Sequence, residues 1–105
     1  MHDIHLIEKT MSFRQADDGS GDWITGDWRL FPSEIEKITG GNVLLHQTQK
    51  SGCRLGGKIL EINHIDLEKH KVEIRFCLDR ELVQKVANGN WQPEKLIVER
   101  MPKAA

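Results

Sequence analysis

The strictest pattern in the chain is Lys-Val-Glu-Ile-Arg-Phe-Cys-Leu, residues 71 to 78. Val72, Ile74, Phe76 and Leu78 alternate with Lys71, Glu73, Arg75 and Cys77. Successive strand side chains point to opposite faces, so this alternation demands a strand with one face in a core. A strand in turn demands hydrogen-bonded neighbours, so whatever this chain folds into is built around a sheet.

The neighbours are sought in the other apolar stretches. Ile4 and Leu6 alternate with His5 and Ile7, which reads as an opening strand. Asp22 to Phe31 is rich in aromatic and apolar residues, with Gly26-Asp27 breaking it by a bend or bulge. Asn42 to Gln47 reads as a buried strand, and Arg54 to Asn63 as a longer one. In that longer strand Leu60 and Ile62 are assigned to one face, and Leu55 and Ile59 to the other. Gly56-Gly57 marks a bulge or a close approach of backbones. Lys95 to Met101 is the last strand. Arg14 to Gly21 is the most loop-like and mobile stretch, and Asp66 to His70 is a polar connection.

Two short helices are predicted. Ser33 and Glu36 have the spacing of a capping box, Ile35 and Ile38 follow at helical spacing, and Gly40-Gly41 supplies the stop. Asp79 is an N-cap for a second helix with Leu82, Val83 and Val86 as its apolar stripe and Asn88-Gly89 as its end. Trp91 and Pro93 then turn the chain, and Pro102 and the terminal alanines are read as frayed. Both helices are too short for the crossovers of a parallel α/β sheet. The expected class is therefore α+β: a small curved mixed sheet or pseudo-barrel of five to six strands with two short helices. The length of 105 residues suits one domain, residues 1–105.

Charge narrows the partners. The net charge is −1, so the whole molecule does not attract phosphate backbones. Residues 1–42 nevertheless hold four Lys/Arg against eight Asp/Glu, and residues 43–105 hold eleven against eight. A face shared by the later strands would be locally basic, unless the charges form a solvated mixed surface. Met1-His2-Asp3 is not followed by the continuous apolar run of a signal peptide, and no run approaches the ~20 residues of a membrane helix. The expectation is a cytoplasmic chain, with Cys53 and Cys77 as free thiols.

Motifs for catalysis are sparse. No Gly-x-Gly-x-x-Gly, phosphate-binding loop or Gly-x-Ser-x-Gly is present. His2, His5, His46, His64, His70 and the two cysteines lack the spacings of a metal site, so neither a metal nor another cofactor is expected. Cys53 beside Arg54, with His46 as base, offers a small cysteine- or histidine-dependent enzyme; an incidental thiol is the plainer alternative.

A binding module has more to draw on. Trp23 and Trp28, with Arg29 beside them, supply two indoles for stacking on a planar ligand. His46, Gln47, Thr48, Lys50 and Arg54 surround the next loop with donors and acceptors suited to a base edge, and Lys58 joins Lys50 and Arg54 as a phosphate contact. The alternative is that the two tryptophans fill the core.

The helix ending in Gly40-Gly41, then Asn42-Val43-Leu44-Leu45-His46, a polar loop, and Gly57-Lys58-Ile59-Leu60-Glu61-Ile62 together resemble a segment of the PUA-like superfamily, in particular its small ASCH and EVE branches. The resemblance runs from Trp28 to Ile62, about a third of the chain, with Gly41-Asn42 standing where those branches more typically have Gly-Asp. It implies a pseudo-barrel that recognises RNA, or a modified base in nucleic acid. The expected function is thus nucleic-acid or nucleobase recognition, with RNA or DNA as partner. A protein-interaction subunit, acting through a protein partner or as a homodimer, is the competing reading.

Overall fold

The computed structural model describes residues 1–8, 13–87, 89, 91 and 94–99. Its elements are β1 (His2–Ile7), β2 (Arg14–Gln15), β3 (Trp23–Arg29), α1 (Pro32–Ile38), β4 (Asn42–His46), β5 (Cys53–Asp66), β6 (Lys71–Leu78), a 3-10 turn (Arg80–Leu82) and β7 (Lys95–Glu99). All seven strands join one sheet in the order β2-β3-β6-β5-β4-β1-β7. The β1–β4 pair is parallel and the others are antiparallel.

A flat sheet is a slab about one side-chain layer deep on each face. The extents of 36 × 31 × 30 Å are nearly equal, so this sheet is strongly curled. Lys95 Nζ, on the outermost strand β7, reaches the carbonyl of Arg29 at 3.3 Å, at the end of β3 near the opposite edge. The two sides of the sheet thus come within side-chain reach, but among the described residues no strand pairing closes them into a barrel.

The concave face holds the main core. Ile4 and Leu6, Val43 and Leu45, Ile59, and Val72, Ile74 and Phe76 meet Leu30 and Ile38 there. The alternation of β6 behaves as its sequence predicts. That of β5 does not: a register shift between Ile59 and Glu61 inserts an extra residue, so Ile59 and Ile62 both face the core and Leu60 is left half exposed. The bulge predicted at Gly26-Asp27 is present, and it brings Trp28 to the same side as Trp23. At Gly57 the chains run so close that a Cβ would overlap the Cys77 carbonyl.

The fold differs from expectation in three respects. It is mainly β, with seven strands and one helix among the described residues. That helix begins at Pro32 rather than after Ser33: the Glu34 carboxylate, not that of Glu36, accepts the Phe31 N–H at 3.0 Å. Pro32 is suited to the first helical position, where its missing N–H costs nothing. The helix stops at Ile38, two residues before Gly40, whose φ of 85° is open to glycine. The second predicted helix is one 3-10 turn. Asp79 does cap it, accepting from the Glu81 N–H at 3.0 Å. The following backbone then leaves the helix: Gln84 N–H donates to the Cys53 carbonyl at 2.7 Å, and Cys53 N–H to the Lys85 carbonyl at 2.8 Å. Backbone groups bonded to β5 are no longer free to extend an i→i−4 ladder. Val83 and Val86 are consequently exposed. The predicted helix end at Asn88, the turn at Pro93 and the frayed terminus at Pro102 lie outside the described residues.

Candidate functional site: an aromatic ledge and a buried histidine pair

The residues singled out from sequence fall into separate places. Trp23 and Trp28 are half-buried and pack against the main core. The Trp28 indole N–H donates to Thr25 Oγ1 at 3.0 Å, on a residue with no exposure. Trp23 meets Phe13 edge to face at 5.6 Å. The loop after β4 is elsewhere. Trp28 pairs with Val72, which pairs with His64, eleven residues along β5 from Cys53 and roughly 36 Å of extended chain away. The structure therefore does not bring Trp28 and that loop together. Within the loop, Thr48 and Ser51 exchange hydrogen bonds of 3.0 to 3.1 Å and satisfy one another. Gln47, Lys50, Arg54 and Lys58 are exposed, and His46 is fully buried.

One predicted residue, Arg29, belongs to a cluster that sequence reasoning missed. β3 ends there, and the chain turns through Leu30, whose N–H donates to the His70 carbonyl at 2.9 Å. This sets Phe31 beside the β5–β6 turn with 42% of its surface exposed. The His70 ring lies 4.8 Å from the Phe31 ring, and the cationic groups of Arg29 and Lys95 each lie 5.6 Å from its centroid. An aromatic face collects cations in this way because its quadrupole is negative. Lys95 is also tied to Glu34 at 2.8 Å, and Lys71 to Asp27 at 3.2 Å. Arg29 has no carboxylate partner among the described residues. Two of the ledge's cations, Lys71 and Lys95, are thus neutralised by carboxylates.

The second cluster lies on the convex face of β1 and β4. His5 and His46 point outward there, yet they are 8% and 0% exposed. His5 Nδ1 lies 2.8 Å from His46 Nε2, and His46 Nδ1 lies 3.0 Å from the Ser51 carbonyl. A carbonyl only accepts, so His46 carries its proton on Nδ1, its Nε2 accepts, and His5 Nδ1 donates. Trp91 meets both rings edge-on, at 6.2 Å from His5 and 5.6 Å from His46. Burial, with His46 adding to it and Asp3 opposing, lowers the His5 pKa to about 4. Burial lowers His46 too, against the Ser51 carbonyl. Both rings are neutral at pH 7.

Cys53 lies beside this pair, in contact with Leu44 and Leu82. Both cysteines are free thiols, as expected. Cys53 is fully buried, its Sγ donates to the Leu55 carbonyl at 3.2 Å, and burial pushes its pKa up. An activated nucleophile requires the opposite shift, and the ring proposed as its base is already committed to His5 and Ser51. The cysteine chemistry read from sequence thus finds no support in the geometry. The described residues hold no group of three metal-ligating side chains, and no helix among them is long and apolar enough to cross a membrane.

Little in the sequence marks these clusters. Phe31 and His70 are 39 positions apart, and His5 and His46 are 41 apart. The only local signal was that His5 and His46 each sit in an otherwise apolar strand. Comparison with protein-family models, curated proteins and solved structures found no match to this chain.

Proposed function

We propose that this chain is a recognition module of PUA-like type for a nucleobase or a short single-stranded nucleic acid, with the Phe31 ledge as its contact surface. The observation that carries the reading is an exposed aromatic ring with the His70 ring against it and the Arg29 guanidinium, which has no carboxylate partner among the described residues. Aromatic side chains take bases by stacking, and a guanidinium adds a planar donor array for a base edge or a phosphate. The curled sheet, with its one helix leading into an apolar strand, accords with the pseudo-barrel that the resemblance implies. The pairing of Lys71 and Lys95 with carboxylates favours stacking over phosphate contacts, and therefore single strands and free bases over duplexes.

Titration of labelled six-nucleotide RNA and DNA strands, and of free nucleosides, tests the reading by fluorescence anisotropy and calorimetry. Phe31→Leu is expected to weaken binding by about tenfold or more, the loss of one base stack. Arg29→Gln is expected to weaken it less, and the salt dependence should correspond to only about one or two ionic contacts. Absence of binding at low salt, or binding unchanged in both variants, rejects the proposal. Duplex preference with a steep salt dependence rejects the ledge as the site.

A further inference from the structure

The chain from Asp79 to Ala87 lies on β5 and on Leu44 of β4, and Trp91 covers the outward rings of His5 on β1 and His46 on β4. The cover is lightly attached. Asp79 N–H donates to the Gly56 carbonyl at 2.9 Å, and Gln84 and Lys85 share one reciprocal pair of bonds with Cys53. Leu82 is the one buried aliphatic side chain of the stretch, packed on Leu44 and Cys53. The segment's internal backbone bonds, from the N–H groups of Leu82, Val83 and Lys85 to Asp79, Arg80 and Leu82, are each 3.2 Å long and of the poorer 3-10 type. Such segments open at much lower cost than the sheet beneath them.

Beneath this cover lies the histidine pair. Asp3 faces His5 along its own strand, His46 faces it from β4, Leu96 pairs with it from β7, and the uncharged Trp91 closes it from the covering segment. The Ser51 carbonyl faces His46 from the loop, and the neighbouring Glu8 N–H is bonded to the His46 carbonyl. The covering residues Glu81 and Lys85 are exposed.

We propose that the pair is an acid-operated latch, in which a proton taken up by His5 or His46 releases Trp91 and residues 79–87 from the sheet and uncovers Cys53. That proton has no exposed place to sit. On His46 Nε2 it would move the His5 proton from Nδ1 to Nε2, since the other His46 nitrogen is held by Ser51, and it would leave a cation on a ring with no exposure. On His5 Nε2 it would create a cation that is 8% exposed. Opening the cover lets water take the charge, so falling pH favours the open state. The low pKa of His5 agrees with this arrangement. Nothing in the latch depends on the ledge or on nucleic acid.

The test uses the thiol beneath the cover. In the full chain carrying Cys77→Ser, Cys53 is labelled with 4,4′-dithiodipyridine, and the rate is divided by that of glutathione at the same pH. The ratio is expected to rise on the order of 100-fold between about pH 7.5 and about pH 5, with far-UV circular dichroism unchanged. His5→Asn keeps a donor for His46 Nε2 but removes one titrating ring, and it should hold the rise below about tenfold. Gly52→Ala places a Cβ 2.7 Å from the Gln84 carbonyl oxygen, so it should pry the cover off and make labelling fast at both pH values. A flat ratio in the parent chain overturns the proposal. So does an equal rise in a folded His5→Asn chain, ellipticity lost in step with labelling, or Gly52→Ala still protected at neutral pH. If His5→Asn does not fold, imidazole NMR of the parent decides: ring titration coinciding with the rise in labelling supports the latch, and separate midpoints overturn it.

Discussion

The convex side of the sheet solves one problem in two ways. Over β3 and β6 it is open to water, and its outward side chains form ion pairs. Arg75 pairs with Asp18 at 2.6 Å and Asp22 at 2.9 Å, Arg14 with Glu73 at 3.3 Å, and Lys71 with Asp27 at 3.2 Å. Over β1 and β4 the same outward positions hold His5 and His46, sealed under Trp91 and neutral. Charged groups stay charged where water remains beside them. Where the chain crosses over, the polar groups must be uncharged and must satisfy one another. The difference therefore lies in whether a second segment covers the strand, rather than in how polar its outer face is.

The sharpest way to break the comparison is to break the sealed side. His46→Leu removes the acceptor of the His5 N–H and the donor to Ser51, leaving buried polar groups unsatisfied. It should cost about 2–4 kcal/mol in denaturant unfolding. His46→Gln, which can offer both a donor and an acceptor, should recover part of that loss.

A pH series separates the two sides next. The His5 pKa is lowered on folding, so the unfolded chain takes up protons first as pH falls. The stability this site contributes is complete above about pH 6.5 and drains away as pH drops towards about 4, by up to about 3 kcal/mol. On the open side, hydrogen bonds from Ser20 and Arg75 hold the Asp18 carboxyl well below the usual carboxylate range. Its contribution is present above the ordinary carboxylate pKa and is lost only as pH falls further. Urea unfolding at several pH values should therefore show a first loss that disappears in a His5→Asn, His46→Gln chain, and a later, acidic loss that does not.

The smallest effect is expected on the open side. Lys71→Ala breaks an exposed pair with Asp27 and should cost less than about 1 kcal/mol, vanishing in about 1 M salt. The His46→Leu penalty should survive the same salt, because the pair carries no net charge. Equal salt sensitivity of the two variants would mean that the two sides do not differ as described.

Legibility in the sequence followed the same division. The β6 pattern was readable because one of its faces is buried and the other meets water, which is the condition under which period two appears in composition. β4 was readable as a buried strand because both its faces are covered. β5 was misread at Leu60 because a bulge shifts the phase without leaving a compositional mark. The stretch from Arg14 to Gly21 was read as loop-like and mobile, yet Arg14 and Gln15 form β2, and Arg75 clamps Asp18, Ser20 and Asp22 from 53 to 57 positions away. The second helix failed for a related reason, since its hydrogen bonds went to Cys53. Of the candidate site, Arg29 was visible as a charge beside aromatic residues, whereas Phe31 and His70 were not, because their meeting depends on a turn in each of two distant segments.

By itself the sequence determined the sheet, most of its strands, the first helix and its glycine stop, and the unpaired state of both thiols. These follow from local rules: side-chain periodicity, backbone freedom and the presence or absence of particular residues. Tertiary structure alone decided which strand lies beside which, where the bulges fall, and which polar residues end up beneath a covering segment. Those outcomes rest on contacts between residues tens of positions apart, and short-range periodicity carries no record of them. The charge state of His5 and His46 is the clearest case: the same two imidazoles on an open strand would titrate near neutrality, and only the chain crossing over them makes them neutral down to lower pH.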